Sequence, residues 1–407
     1  MPQPLDLTGT ILDRLSPVHV RVTGNYEVQV DVGNQAMSGQ PQAARSRSTS
    51  PVSLANDRPI FRLPQFTVEA QFLTLAETVD WGLAMMHVPK LWKQTQGEGI
   101  RVGVCDTGCD LLHTDLEGAV VAAADFTGSR FGAADKNGHG THCAGIIAAR
   151  HNQIGIAGVA PRAQLVVAKV LGDNGSGDGA GVAAGIDYCR DQQCKIISMS
   201  LGAPQPDEQI MRAVQRAVDA GVLVIMAAGN EGPVVDRQGN ALDSVNFPAR
   251  WRQGIAVGAV DRNGQVARFS SRGPEVDIAA PGQDVTSTWP GGGYAKLSGT
   301  SMATPFVAGV VALLLARNLQ PGVKSPVRDM ASLKAHLAST AKDAGPQGKD
   351  PAYGYGLIDP ASMLNRVETQ PPGQSESSGV VIELPLLGKV VLHTPAVAGD
   401  LFSIRRG

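Results

Sequence analysis

The chain has almost no net charge: 35 Lys and Arg stand against 37 Asp and Glu among 407 residues, a formal balance of -2. That near-cancellation removes any general electrostatic case for nucleic acid or an anionic membrane surface as partner. No run reaches the roughly 18 consecutive apolar residues of a membrane span, so no membrane partner is expected. The opening residues, MPQPLDLTGTILDRL, lack the basic start and continuous apolar stretch of a secretory signal. A cytoplasmic location is therefore expected, with secretion by another route left open. Cysteine is scarce and odd in number: Cys105, Cys109, Cys143, Cys189 and Cys194. Without an export signal, reduced thiols are expected rather than a disulfide framework. Cys105 and Cys109 have no second Cys or His pair at ligand spacing, which argues against a metal between them.

What is present describes a loop-rich globular protein: 43% apolar residues, 48 Gly and 26 Pro. The length suits one large α/β domain with extensions. Residues 18–32 alternate apolar and polar around a Gly-Asn turn and read as a β-hairpin. Residues 35–58 carry almost no apolar side chains and read as a flexible linker. IFRLPQFTVEAQFLTL then turns apolar, and a long mixed body begins near Ala76. The last segment, 366–407, opens as a linker and becomes alternating strands, expected to form a small hairpin.

In the body, short apolar runs alternate with helical periods. GIRVGVCDTG, QLVVAKVLG, KIISMSLG and VLVIMAAGN read as buried strands. HGTHCAGIIAAR, GAGVAAGIDYCRDQQC and PDEQIMRAVQRAVDAG read as helices, and GTSMATPFVAGVVALLLAR as a small-residue turn feeding a helix too apolar for a surface. Strand, helix, strand with short links implies right-handed crossovers and a parallel sheet covered on both faces. Ligands of such sheets gather at the carboxyl ends of the strands.

Polar residues stand at those ends. Asp106 follows RVGVC, Asn230 follows VLVIMAAG, His139 opens a helix in KNGHGTHCAG, and Ser301 sits in the turn before the buried helix. Each alone suits a turn or a cap. Together they meet a chemical need. A serine hydroxyl is a weak nucleophile until an imidazole accepts its proton, and a carboxylate fixes that imidazole's tautomer. The oxyanion so formed requires donors, which the Asn230 amide and the Ser301 N–H can supply at the positive end of a helix.

VCDTGCD, NGHGTHCAG, AAGNEG and GTSMATPFVAG, in the order Asp, His, Asn, Ser, resemble the signature segments of the subtilisin-like serine proteases. The resemblance runs from about Ala76 to Met363. It implies a three-layer α/β fold with a mostly parallel central sheet, an endopeptidase activity on polypeptide substrates, and Asp106, His139 and Ser301 as the triad with Asn230 as oxyanion donor. His142, three positions on, is the rival base, to which the family gives a structural role. Phe306 stands where relatives usually have His. Cys143, near His139 in the motif, is expected as a packed small hydrophobe. Two other classes share the fold: a peptide ligase or cyclase, and a catalytically silent peptide binder.

By the same resemblance, Gly175, Ser176 and Gly177 form the cleft edge that pairs with an extended peptide, and Ser200, Leu201 and Gly202 form the opposite wall. Ala228 and Gly229 flank the pocket for the residue before the cut. Asn246 replaces a glycine at its base and should make it shallower, and Glu231 near the rim suits a basic side chain; medium apolar side chains are the expected preference, with a basic one as the alternative. ARHNQIGIAGVAP resembles a calcium loop, nominating Asp115, Asn152, Glu77 and the carbonyls of Arg150, Ile154 and Ile156, all oxygen donors of the kind calcium takes. AETVDWG resembles the start of the mature enzymes. Residues 1–75 are thus expected to be a propeptide or regulatory arm acting as an intramolecular inhibitor, with Leu75–Ala76 as the junction, 76–365 the catalytic domain and 366–407 the extension.

Overall fold

The computed structural model describes residues 59–72 and 76–365, together with the backbone of short strands at 368–369, 380–384 and 388–392. The hairpin expected over 18–32, the linker over 35–58 and the Leu75 side of the junction lie outside the described residues. In the C-terminal extension, Val380–Leu384 and Gly388–Leu392 pair as antiparallel strands.

A seven-stranded sheet organises the body. Its order is Val276–Pro281, Ile255–Val260, Leu223–Ala227, Ile196–Met199, Arg101–Asp106, Gln164–Lys169, Val120–Asp125, and every neighbouring pair is parallel. Four of these strands are those read from the sequence. All are rich in Val, Ile and Ala because both faces are covered. Successive residues serve opposite layers: Val102, Val104, Leu165, Val167 and Ile196 pack into one core, Cys105, Val166, Ala168 and Ile197 into the other. The first core is filled by helices His139–Ala148 and Thr300–Asn318, the second by helices Gly179–Asp191 and Glu208–Asp219.

The helix Glu208–Asp219 shows how local rules meet this demand. Asp207 caps it by accepting from the N–H groups of Gln209 and Ile210, and Ile210, Ala213, Val214 and Ala217 form its buried stripe. Thr300–Asn318 follows a different rule. It is long and apolar enough to cross a membrane, yet 89% of its most apolar window is buried within the protein. It has no polar face because it runs through the core rather than over it. Phe306, fully buried in this helix, approaches Gly82, where an added Cβ would lie 2.6 Å from the Phe306 ring. A large aromatic therefore fills this position.

Arg101–Asp106 sits between Gln164–Lys169 and Ile196–Met199, so the chain leaves it in both directions across the sheet. That switch opens a crevice at the carboxyl ends, where Asp106, Ser200 and the residues after Ala227 converge. In a Ser301→Ala background, which removes self-digestion from the measurement, Phe306→Ala should destabilise the fold by about 3–5 kcal/mol. Thermal unfolding followed by circular dichroism should show a lower Tm; an unchanged Tm would mean that the core collapses around the lost ring.

Candidate active site

Asp106 ends its strand with its carboxylate inside the protein. Its Oδ1 accepts from Thr107 N at 2.7 Å and lies 2.8 Å from His139 Nδ1, an arrangement that makes Nδ1–H the donor. His139 is fully buried, and its Nε2, like Asp106 Oδ2, has no hydrogen-bond partner among the described residues. An imidazole held in that tautomer presents the Nε2 lone pair to whatever enters the crevice.

A residue without a catalytic motif holds the pair together. Asp135, 4% exposed, accepts five hydrogen bonds: from Thr107 Oγ1, Asn137 N and Gly138 N on one oxygen, and from Thr141 N and Thr141 Oγ1 on the other. Gly140 N donates to Thr107 Oγ1. The turn after Asp106 and the first turn of the His139 helix are thus fastened to one carboxylate. His142 faces elsewhere. Its Nε2 lies 3.1 Å from the carbonyls of Val285 and Ala295, and burial pushes its pKa down to about 3, so it stays neutral and structural.

Ser301 lies in the first turn of its helix, four residues before Pro305. A proline has no N–H, so the Ser301 carbonyl loses its usual helical donor. Two side chains replace it: Ser200 Oγ donates at 2.9 Å and Cys143 Sγ at 3.5 Å. Burial drives the Cys143 thiol well above its ordinary range, which keeps it a protonated donor packed 3.8 Å from His139 Nδ1. Ser301 Oγ itself points to the Ser200 carbonyl, 3.4 Å away. Thr300 performs a second alignment. Its N and Oγ1 both donate to Asn230 Oδ1, at 2.9 and 2.8 Å, which turns the Asn230 NH2 into the cleft.

That cleft contains the chain's own residues 59–72. Ile60–Arg62 pairs antiparallel with Ser176–Asp178, with Phe61 opposite Gly177 and Arg62 opposite Ser176. On its other side Arg62 exchanges both backbone hydrogen bonds with Gly202, and Leu63 N donates to the Gly175 carbonyl. Of the expected walls, Gly175, Ser176, Gly177 and Gly202 touch this strand directly. Leu201 lies beneath it in the same core as Phe61, and Ser200 serves Ser301 instead. Gly177 leaves no room for a side chain, since an added Cβ would sit 2.2 Å from the Val170 carbonyl. Beyond Pro64, Asn230 Nδ2 donates to the Gln65 carbonyl at 2.5 Å, and the Phe66 ring lies 5.0 Å from the His139 ring. Thr67–Phe72 continues as a strand along Gly293–Ser298.

At the neighbouring pocket, Ala228 accepts from Asn246 N at 2.8 Å. Asn246 Nδ2 donates to Glu231 Oε1 and Ser271 Oγ to Glu231 Oε2, so three polar groups close over Gly229. The pocket is polar there, because the Asn246 side chain holds Glu231 inward.

The residues nominated for calcium also come together. Asp115 is fully buried; its oxygens accept from Asn152 Nδ2 at 3.3 Å, Ile156 N at 2.8 Å and Tyr294 OH at 2.9 Å. Glu77 clamps the loop backbone, accepting from Asn152 N, Gln153 N and His151 Nδ1. Asn152 Oδ1 accepts from Ile154 N, and the Arg150 guanidinium ties the loop's base to four carbonyls, those of Glu117, Gly118, Pro161 and Ala163.

Comparison with known proteins identifies the family. The profile described as the subtilase family matches residues 97–356. The chain is 46% identical over 237 residues to an intracellular serine protease of Paenibacillus polymyxa, covering 57% of this chain and 72% of that protein. It is 42% identical over 259 residues to the major intracellular serine protease of Bacillus subtilis (strain 168), covering 62% and 80%. To subtilisin Savinase of Lederbergia lenta it is 40% identical over 284 residues, covering 70% and 97%. The chain therefore belongs to the subtilase family and is a serine endopeptidase, a hydrolase of polypeptides.

Proposed function

We propose that Ser301 is the nucleophile, His139 the general base and then acid, Asp106 the carboxylate that orients and stabilises His139, and Asn230 with the Ser301 N–H the oxyanion donors. One observation carries the assignment: Asp106 Oδ1 meets His139 Nδ1 at 2.8 Å in the cleft where Asn230 Nδ2 meets a peptide carbonyl. His139 Nε2 takes the Ser301 proton as Oγ bonds to the substrate carbonyl carbon, and the resulting oxyanion faces Asn230. Collapse breaks the C–N bond; the amine leaves with the proton from His139. Water then attacks the acyl-enzyme, giving its proton to His139, which returns it to Ser301. Gly175, Ser176, Gly177 and Gly202 hold the substrate as an added strand, with Ala228, Gly229 and Asn246 at the pocket.

Ser301→Ala and His139→Ala should each abolish measurable peptide hydrolysis, and Asn230→Ala should lower kcat by about 10²–10³, the size known for the corresponding donor in subtilisin. Hydrolysis of a fluorogenic peptide checks all three. A Ser301→Ala protein with wild-type kcat would end the assignment.

Residues 59–72 fit the role of intramolecular inhibitor within the 1–75 segment. They take the backbone pairing of a substrate, cover His139 with Phe66 and occupy Asn230 with a carbonyl, while Ser301 Oγ is turned to Ser200. Pro64 interrupts the strand at the centre of the cleft, since it has no N–H to give either wall. A synthetic peptide of residues 59–72 should therefore inhibit the processed enzyme, and its Phe61→Ala form at least tenfold more weakly, because Phe61 is fully buried in the complex. Intact mass should show wild-type protein losing about 75 residues while Ser301→Ala stays whole. Equal inhibition by both peptides would remove Phe61 as anchor.

For calcium, the donor set fits a hard cation: Asp115, Asn152 and the carbonyls of Arg150, Ile154 and Ile156 would hold it, with Glu77 fixing the loop. Bound there, it would supply structural charge and no step of the reaction. Chelation should lower the Tm of the Ser301→Ala protein by several degrees, and added calcium should restore it; indifference to both would remove the ion. The relatives named intracellular support a cytoplasmic address.

A further inference from the structure

Lys169 is a fully buried lysine that no motif announces, and its surroundings join two parts of the machinery. It closes the strand beside Arg101–Asp106, directly opposite Asp106 in the parallel register. Its Nζ donates to the Thr107 carbonyl at 2.5 Å and pairs with Asp173 Oδ1 at 3.0 Å. The next two residues reinforce the first contact: Val170 N and Leu171 N both donate to the Asp106 carbonyl, at 2.9 and 3.1 Å. Three consecutive residues thus spend their donors on the two carbonyls around the Asp106 turn.

Asp173 carries the connection outward. Two positions on lies Gly175, whose carbonyl receives Leu63 N, and four positions on Gly177, which faces Phe61. Besides Lys169, its carboxylate accepts from Ser129 Oγ at 3.2 Å, and its carbonyl from Asn137 Nδ2 at 3.4 Å, two residues before His139. An ammonium taken fully out of water requires compensation. Here the Thr107 carbonyl and Asp173 provide it, so the lysine can be satisfied only when the Asp106 turn and the cleft edge are both in place.

We propose that Lys169 and Asp173 are positioning residues: an ion pair, its ammonium buried and its carboxylate at the surface, that ties the substrate-pairing edge, Gly175–Ser176–Gly177, to the Asp106–His139 pair. The edge is a turn whose own ties are short-range, Gly172 N to Ser176 O and Gly175 N to Gly172 O, both 2.8 Å. Those bonds preserve the shape of the turn, and Val170 N and Leu171 N hold its base to the Asp106 carbonyl. The ion pair adds the tie from the turn itself, at Asp173, to the residue after Asp106. An extended peptide must pair with the edge and present its carbonyl to Ser301 at once, so its turnover depends on that spacing; a substrate too short to reach the edge does not.

The inference rests on the cleft reading above, and the test separates the two. Wild type, Lys169→Met and Asp173→Asn, each produced as the full chain and taken after loss of the arm is verified by intact mass, are compared after active-site titration of the serine, so that rates refer to competent sites. Met matches the length of the lysine stem, and the carboxylate it leaves behind, that of Asp173, is exposed to water, so no uncompensated charge stays buried. Asp173 is partly exposed, and its Asn variant provides a second measurement should Lys169→Met not fold. Against a peptide amide with four residues before the scissile bond, each variant should lose about tenfold more kcat/KM than against a single-residue ester. For Asp173→Asn that loss should lie mainly in KM. The double variant should fall no further than Lys169→Met alone. Equal losses on both substrates would overturn the proposal and leave a stability role. A wild type without a titratable serine would overturn the cleft reading and this inference with it.

Discussion

A nineteen-residue helix without a polar face must be enclosed on every side, and the architecture follows from enclosing Thr300–Asn318. The sheet covers one side and helix His139–Ala148 another, which draws the two helices bearing Ser301 and His139 into one core. The first turn is the place where such a helix can bear polar groups, because its unpaired N–H groups and positive end require partners. Thr300 and Ser301 lie there. Pro305 extends the pattern by leaving the Ser301 carbonyl open, and Ser200 and Cys143 close it. The placement of the nucleophile is thus a consequence of hydrogen-bond accounting at a buried helix end.

Similar accounting governs the other side of the crevice. Asp106, Asp135 and Lys169 are charged groups in a buried interior, and each is held by specific polar partners. Asp135 collects five donors from the segments that carry Asp106 and His139. Lys169 spans the Asp106 turn and the cleft edge. The rigidity that catalysis requires is therefore paid for in buried ionic contacts, not in packing alone, since pre-set dipoles act without reorganising during reaction.

Much of this was legible in the sequence. The strands ending at Asp106, Lys169, Met199 and Ala227 and the helices at 139, 179, 208 and 300 follow from apolar runs and periods, because each must bury its face wherever it lies. Asp106, His139, Asn230 and Ser301 were found by standing at strand or helix ends. Asp135, Thr300 and Lys169 were not. Their partners lie 28 residues away for Asp135 and Thr107, 62 for Lys169 and Thr107, and 70 for Thr300 and Asn230, with nothing local to distinguish an aligned side chain from a turn residue. Pro305 within a helix was a visible signal; its consequence for the Ser301 carbonyl needed the three-dimensional neighbours. IFRLPQFTVEAQFLTL could be seen as apolar, but an arm that borrows another segment's strand edge has no periodicity of its own to read.

If residues 59–72 act as the proposed inhibitor, they and a substrate compete for the same backbone groups, and the competition is unequal. A tethered segment meets its site at an effective concentration that reaches the millimolar range for a short flexible connection. A free peptide making the same pairings must exceed that level to displace it. Lowering the arm's intrinsic affinity tenfold would leave most sites covered if its docking constant lies well below that concentration. Covalent separation of the arm removes the advantage altogether, turning an intramolecular equilibrium into an ordinary bimolecular one. The same geometry that makes residues 59–72 a good occupant of the cleft thus makes cutting the chain, rather than rising substrate, the effective way to open it.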